Sequence, residues 1–172
     1  TGGLLVAGGA QKVRGFTAVA AIQQRTMAAI MTLEGNDISS PKDLEGKTLA
    51  DLPGSVVRNL FPTYAKLANI DYTKVTWVNG TPQTLMGTLA QGKVAGIGQF
   101  VVGKPTIEGI TKGKKKAVLL PYSDYLQDLY GNALITPTQY AKDNPDKVRA
   151  FSAALLKGLD YTIKNPAEAG QI

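Results

Sequence analysis

Between residues 40 and 120 the chain alternates runs of strand length with segments of helical period. That alternation narrows the folds open to it more than any other feature. Ser40 and Pro41 supply the cap and first turn of a brief helix that closes at Gly46. Residues 47–52 read as a strand that stops at Pro53-Gly54-Ser55. From Val56 the pattern turns helical: Val57, Leu60, Phe61, Tyr64, Leu67 and Ala68 recur at spacings that place them on one face. Pro62 lies within this stretch and is expected to bend it or to make its first turn irregular. Residues 74–78 form the next strand, Thr81-Pro82 opens a helix to about residue 91, and Gly92 ends it. A strand of small residues follows at 94–100, then a helix near 104–111. Such repetition implies right-handed βαβ units and a mainly parallel sheet covered by helices.

The flanks are simpler. Residues 4–10 are a short apolar stretch, and 18–22 and 27–33 have the length of buried strands. Residues 115–120 and 132–136 read as strands on either side of 122–129. The last element is a long helix over 145–164, with Asn144 as its cap, Pro145 in its first turn and Asp146 at the positive end of its dipole. Its apolar stripe is Val148, Phe151, Leu155, Leu159 and Ile163.

Composition removes whole classes of chemistry. The 172 residues include no Cys and no His, so thiol nucleophiles, Cys/His zinc sites, Ser-His-Asp triads and the usual neutral-pH proton shuttle are absent. No catalytic, metal-ligating or cofactor-binding residue is assigned. Carboxylate pairs are not assigned either, since Asp51, Asp124 and Asp128 sit in unlike contexts and read as solvated or capping residues. The net charge of +6 owes much to Lys112, Lys114, Lys115 and Lys116. That run has no interleaved aromatic or Arg to hold a nucleic acid, so it reads as a solvated loop before a strand. No apolar run has the length of a membrane span, and Thr1-Gly2-Gly3 does not open a signal peptide.

Open parallel sheets take ligands beyond the carboxyl ends of their strands, which makes the candidate positions few. At the first end, Gly54 lets the backbone turn tightly, and Ser55 and Val56 begin a helix whose amides suit an anion or a polar ring edge. A plain strand-to-helix turn capped by Ser55 explains the same residues. Asn79-Gly80-Thr81 is a second such turn, with capping alone as its alternative. Gln99 and Phe100 would bring an amide and an aromatic ring to the crevice, unless the small residues before them serve only tight packing. Tyr130 and Asn132, entering the strand at 132–136, are the fourth candidate.

Several of these motifs occur together in one family. Ser39-Ser40-Pro41-Lys42-Asp43-Leu44-Glu45-Gly46-Lys47-Thr48 resembles the opening of the second lobe in type II periplasmic binding proteins. The ordered continuation through Pro53-Gly54-Ser55, Leu60-Phe61-Pro62, residues 74–79, residues 91–96 and residues 128–132 is similar to the NMT1/THI5-like family. That family includes binding proteins for pyrimidine thiamin precursors, with relatives for sulfonates, taurine and nitrate. One departure is Gly96, where many relatives carry an acidic residue.

The resemblance implies a bilobed α/β clamp of the type II kind, closing on its ligand by a hinge. It implies an incomplete first lobe, with residues 1–35 a remnant of lobe one, 36–120 lobe two, and 121–172 the crossover back with C-terminal helices. Gly54, Ser55 and Val56 would then form the lobe-two contact, Gln99 and Phe100 would line the cleft, and Tyr130 to Asn132 would lie near the crossover. The implied function is the solute-binding component of an ABC importer, not an enzyme. It would capture a pyrimidine-like or sulfonate/taurine-like solute in the periplasm, or anchored outside a membrane, and deliver it to a permease without any cofactor. The alternatives are a pyrimidine-precursor synthase of the same fold and the effector-sensing domain of a transcription regulator. An incomplete lobe also raises an oligomer that covers its exposed surface.

Overall fold

The computed structural model describes residues 14–172, and the apolar stretch at residues 4–10 lies outside them. In chain order the elements are β1 (Phe16–Ala21), β2 (Ala28–Leu33), β3 (Thr48–Asp51), α1 (Val56–Leu67), β4 (Thr76–Asn79), α2 (Leu85–Ala90) and β5 (Gly96–Phe100). Then come α3 (Lys104–Ile110), β6 (Ala117–Pro121), β7 (Ala133–Pro137), α4 (Thr138–Asp143), α5 (Pro145–Lys164) and α6 (Pro166–Ala169). Two units result: a sheet unit of residues 25–129, and a ribbon unit of residues 14–24 with 130–172. The sequence placed divisions after residues 35 and 120. The structure divides instead between Gln24 and Arg25 and between Leu129 and Tyr130. The reason is pairing: β2 is hydrogen-bonded into the sheet, and Tyr122 stacks on Tyr64 of α1 at 4.2 Å.

In the sheet unit the strand order is β4-β3-β5-β2-β6. β3 runs parallel to β4 and β5, while β2 is antiparallel to both β5 and β6. Four of the five strands therefore point the same way, and β2 alone is reversed. The α/β architecture with a mainly parallel sheet is the one the alternation implies. Side-chain alternation along the strands builds a core on each face. Ile30, Leu49 and Leu120 meet Val57, Phe61 and Tyr64 of α1 on one face. Met31, Ala50 and Ile97 meet Leu85 and Leu89 of α2 and Ile107 of α3 on the other.

α1 is unbroken from Val56 to Leu67 despite Pro62, which lies on its exposed side. α2 is shorter than expected. Residues 82–84 form a turn in which the Thr84 amide donates to the Thr81 carbonyl, so regular helix begins only at Leu85. In the ribbon unit β1 and β7 pair antiparallel as a two-stranded ribbon. α5 has the expected bounds, but its apolar stripe is not buried: Phe151 is 62% exposed.

The 3-10 turn at Pro41–Leu44 is held by one carboxylate. Asp43 Oδ2 accepts from the Ser39 and Ser40 amides at 2.9 and 2.8 Å, and from both serine hydroxyls. Those amides, Ser39 first, hold Asp43 down from 3.8 to about 2. Lys42 and the Asp71 amide hold Glu45 down from 4.5 to about 2. Both folded values lie below the unfolded ones, so the stabilisation is complete above the unfolded values and is lost as pH falls toward 2. Thermal unfolding followed from pH 5 to pH 2 should show the melting temperature dropping through this window, with a shallower drop in Asp43→Ala. Equal slopes in the two proteins would contradict the assignment.

Candidate functional site

The carboxyl ends of β3, β4, β5 and β6 lie along one edge of the sheet, at Asp51, Asn79, Phe100 and Pro121. The amino end of β2 joins them there, since Ala28 pairs with Phe100. Within this edge, β3 and β5 are adjacent, with α1 packed on one face and α2 on the other, which is where an α/β sheet opens a crevice.

Gly54 takes φ +75°, a conformation that favours glycine and that turns the chain from β3 into α1. A Cβ there would meet nothing within 4 Å, so its backbone angle, not crowding, explains it. Ser55 caps α1. Its hydroxyl accepts from the Arg58 amide at 3.0 Å and donates to Asp51 Oδ2. The hydroxyl proton is therefore committed within the protein. The first amides of a helix have no partner inside it, and among the described residues no acceptor meets the Val56 N–H. That donor remains available at the positive end of the helix dipole.

Asp51 is the residue that sequence reasoning missed. Read as solvated or capping, it is 2% exposed. Its Oδ1 accepts from the Leu52 amide at 2.7 Å. Burial pushes its carboxyl above the ordinary value, and the Ser55 hydroxyl and Leu52 amide act in the opposite sense. Room for it comes from Gly98 on the neighbouring strand, where a Cβ would fall 2.5 Å from the Asp51 Cγ. Gly96 makes the same provision for Leu49, whose Cδ2 would lie 3.0 Å from a Cβ. That crowding accounts for glycine, in place of the acidic residue the family resemblance led one to expect, at this position.

By alternation Gly98 and Phe100 share the α1 face, while Ile97 and Gln99 take the other. Phe100 is 41% exposed at the carboxyl end of β5, where it pairs with Ala28 of β2. The Gln99 side chain is less free: its Oε1 accepts from the Phe100 amide at 2.8 Å. Asn79 is also engaged, accepting from Arg58 Nη1 at 2.7 Å, and the Arg58 guanidinium lies 5.6 Å from the centre of the Trp77 ring. The Thr81 amide donates to the Thr84 hydroxyl at 3.1 Å, so that turn caps itself.

Tyr130 and Asn132 belong to the ribbon unit. The Asn132 amide donates to Gln23 Oε1 at 2.7 Å and its carbonyl accepts from the Ile22 amide at 2.8 Å. Tyr130 is 52% exposed and borders a hollow of about 310 Å³ with residues 18–21 and Ala133. Among the described residues no three acidic side chains converge as metal ligands do, and no helix is long and apolar enough to cross a membrane.

The NMT1/THI5-like family profile matches residues 6–169. The chain belongs to that family. Its structure is similar to the periplasmic aliphatic sulphonate-binding protein SsuA of Escherichia coli, with a TM-score of 0.77 at 17% identity, covering 98% of this chain and 56% of that one. It is also similar to the alkanesulfonate-binding SsuA of Xanthomonas axonopodis bound to MOPS, with a TM-score of 0.62 at 17% identity, covering 97% and 55%. A third likeness is to a sulfonate ABC transporter protein of Methylobacillus flagellatus, with a TM-score of 0.63 at 20% identity, covering 86% and 44%. At these identities the shared property is the fold, and this chain spans about half the length of the SsuA chains. A search of curated proteins finds no match to the sequence.

Replacing Gly98 by Ala pushes a methyl group into the Asp51 carboxylate. Urea unfolding should show a loss of about 1–3 kcal/mol, the usual cost of overpacking. Unchanged stability would mean that Asp51 is not seated on Gly98.

Proposed function

We propose that this chain is part of the solute-binding component of an ABC importer. It works outside the cytoplasm, in a periplasm or anchored at the outer face of a membrane, and hands its solute to a permease. It captures the solute and does not transform it. Membership of the NMT1/THI5-like family supports this, as do three fold neighbours named as sulfonate-binding transport proteins. The observation that carries the reading is the amino end of α1, capped by Ser55 and with no acceptor for the Val56 N–H among the described residues, at the same carboxyl edge of the sheet as the exposed Phe100. One end offers a donor and the other an aromatic face, the pairing that small-solute sites use.

The solute is a small organic molecule, either a pyrimidine-like heterocycle or a sulfonate of the taurine kind. Phe100 favours a flat ring, and the helix terminus suits the acceptor atoms of either class. Gly54, Ser55 and Val56 shape the polar contact, and Gln99 and Phe100 flank it.

Titration calorimetry of the full-length protein with pyrimidines, sulfonates, taurine and nitrate should give micromolar or tighter binding to one class, with the solute recovered intact. Absence of heat from all of them would count against these ligand classes. Val56→Pro tests the contact itself. Proline is tolerated at the first helical position and removes only that N–H. Affinity should drop by about tenfold, the scale of one hydrogen bond, while the melting temperature holds. Unchanged affinity would remove α1 from the site.

A further inference from the structure

The end of the sheet opposite the candidate site carries the densest run of like charge in the chain. Lys112, Lys114, Lys115 and Lys116 fill most of the connection from α3 to β6, and all four are exposed. β6 starts beside Leu33, the last residue of β2, and the starts of β3, β4 and β5 line the same edge. Two structural features set this run apart from an ordinary solvated loop.

Its charge is left standing. Glu108 and Glu34 are the carboxylates bonded to the segment, and both serve its backbone. Glu108 Oε1 accepts from the Ala117 amide at 3.0 Å, and its ion pair, at 4.0 Å, is with Lys104. Glu34 Oε2 accepts from the Lys116 amide at 3.4 Å, while the Glu34 amide donates to the Lys116 carbonyl at 3.0 Å. Elsewhere on this edge Glu45 and Asp71 pair with Lys42 and Lys74. Asp37 has no bonded partner among the described residues, and the exposed Lys93 ahead of β5 balances its charge. Among the described residues no carboxylate pairs with the four lysines of the loop.

The loop is also fixed and open. Lys112 takes φ +53° and Gly113 φ +70°, two left-handed residues in succession, and a lysine keeps that conformation only where its surroundings hold it. The Lys112 amide donates to the Gly109 carbonyl and the Gly113 amide to the Glu108 carbonyl, both at 2.9 Å. The Thr111 hydroxyl lies 3.0 Å from the Glu108 and Lys115 carbonyls and ties the two ends of the turn together. A Cβ on Gly113 would meet nothing within 4 Å, so the turn stands clear of the fold around it.

Chemistry narrows the partner. An open turn has no walls to enclose a small anion. Residues 112–116 hold no Arg to fork onto a phosphate and no aromatic ring to stack a base. Lysine ammoniums are compact, strongly hydrated point charges, and they suit a diffuse plane of negative charge. We propose that the 112–116 loop docks the sheet unit onto an anionic bilayer surface through phospholipid headgroups, leaving the carboxyl edge free for solute. This goes beyond the solute-binding reading and does not depend on where the solute sits. Each lysine beside an anionic surface strengthens attachment by about fivefold, so the contact is reversible and weakens with salt.

Vesicle sedimentation with the unlipidated full-length protein tests it, using equimolar phosphatidylglycerol and phosphatidylcholine against phosphatidylcholine alone. At about 0.1 M salt the anionic vesicles should bind the protein at least about a hundredfold more strongly, and about 0.5 M salt should release it. K112Q/K114Q/K115Q/K116Q should lose about a hundredfold or more of that binding. K66Q/K142Q/K147Q/K157Q removes the same net charge from exposed lysines elsewhere and should lose less than about tenfold. All these side chains are exposed, so both variants should melt with the wild type, and the wild-type comparison stands without either. Equal losses in the two variants, or equal wild-type binding to both kinds of vesicle, would overturn the proposal. So would displacement by millimolar inorganic phosphate at constant ionic strength, which would make the loop a small-anion site. Tighter binding of duplex DNA than of the anionic vesicles would make nucleic acid the partner and overturn it as well.

Discussion

Strand β2 is buried at each of its 6 positions, and both cores of the sheet unit depend on that burial. Its alternate side chains supply Ala28 and Ile30 to the α1 face and Met31 and Leu33 to the other. It also separates β5 from β6, so that neither pairs with the other. The strand precedes the βαβ run in sequence yet sits within its sheet, and it is the one strand that runs backwards. Without it, β5 would become an edge and Ile97 and Leu120 would lose the neighbours that cover them. At the carboxyl edge, β2 is what keeps β5 inside the sheet.

A second economy of space works along β5. Its two buried glycines make room for side chains of β3, Leu49 at Gly96 and Asp51 at Gly98. A strand of small residues is ambiguous in sequence, since tight packing and ligand approach both call for it. Here packing takes the glycines: Gly96 faces the Leu49 side chain, and Gly98 faces the polar group beneath the helix cap. The start of α1 therefore depends on side chains packed between two strands.

Much of the fold was legible. The long helix at 145–164 carried its own signals, with Asn144, Pro145 and Asp146 at its start, and its bounds agree with the structure. β2 and β5 also lie where apolar runs placed them. Weak local signals explain what was missed. α4 begins directly after Pro137, and its sequence, Thr138 to Asp143, has no apolar stripe to mark a helix. α2 starts late because Thr81 and Thr84 bond each other before the helix is regular. At the candidate site, the turn through Gly54 and the cap at Ser55 were readable because strand-to-helix turns have a chemical signature. Asp51 was not, because an acid at a strand end looks alike whether solvent or a glycine of a neighbouring strand lies over it. The same limit applies to Gln99, whose carboxamide folds back to the amide of Phe100.

The ribbon unit is made of two chain segments far apart in sequence. The Gly131 amide bonds the Gln23 carbonyl at 3.0 Å, and Asn132 bonds Gln23 and Ile22 beside it. Joining these segments in an unstructured chain means closing a loop of about a hundred residues, at an entropic cost that no local contact offsets in advance. Once residues 25–129 have folded, most of that loop is already compact, and little freedom remains to be lost. Pairing of β1 with β7 therefore costs less chain entropy once the residues between them are compact.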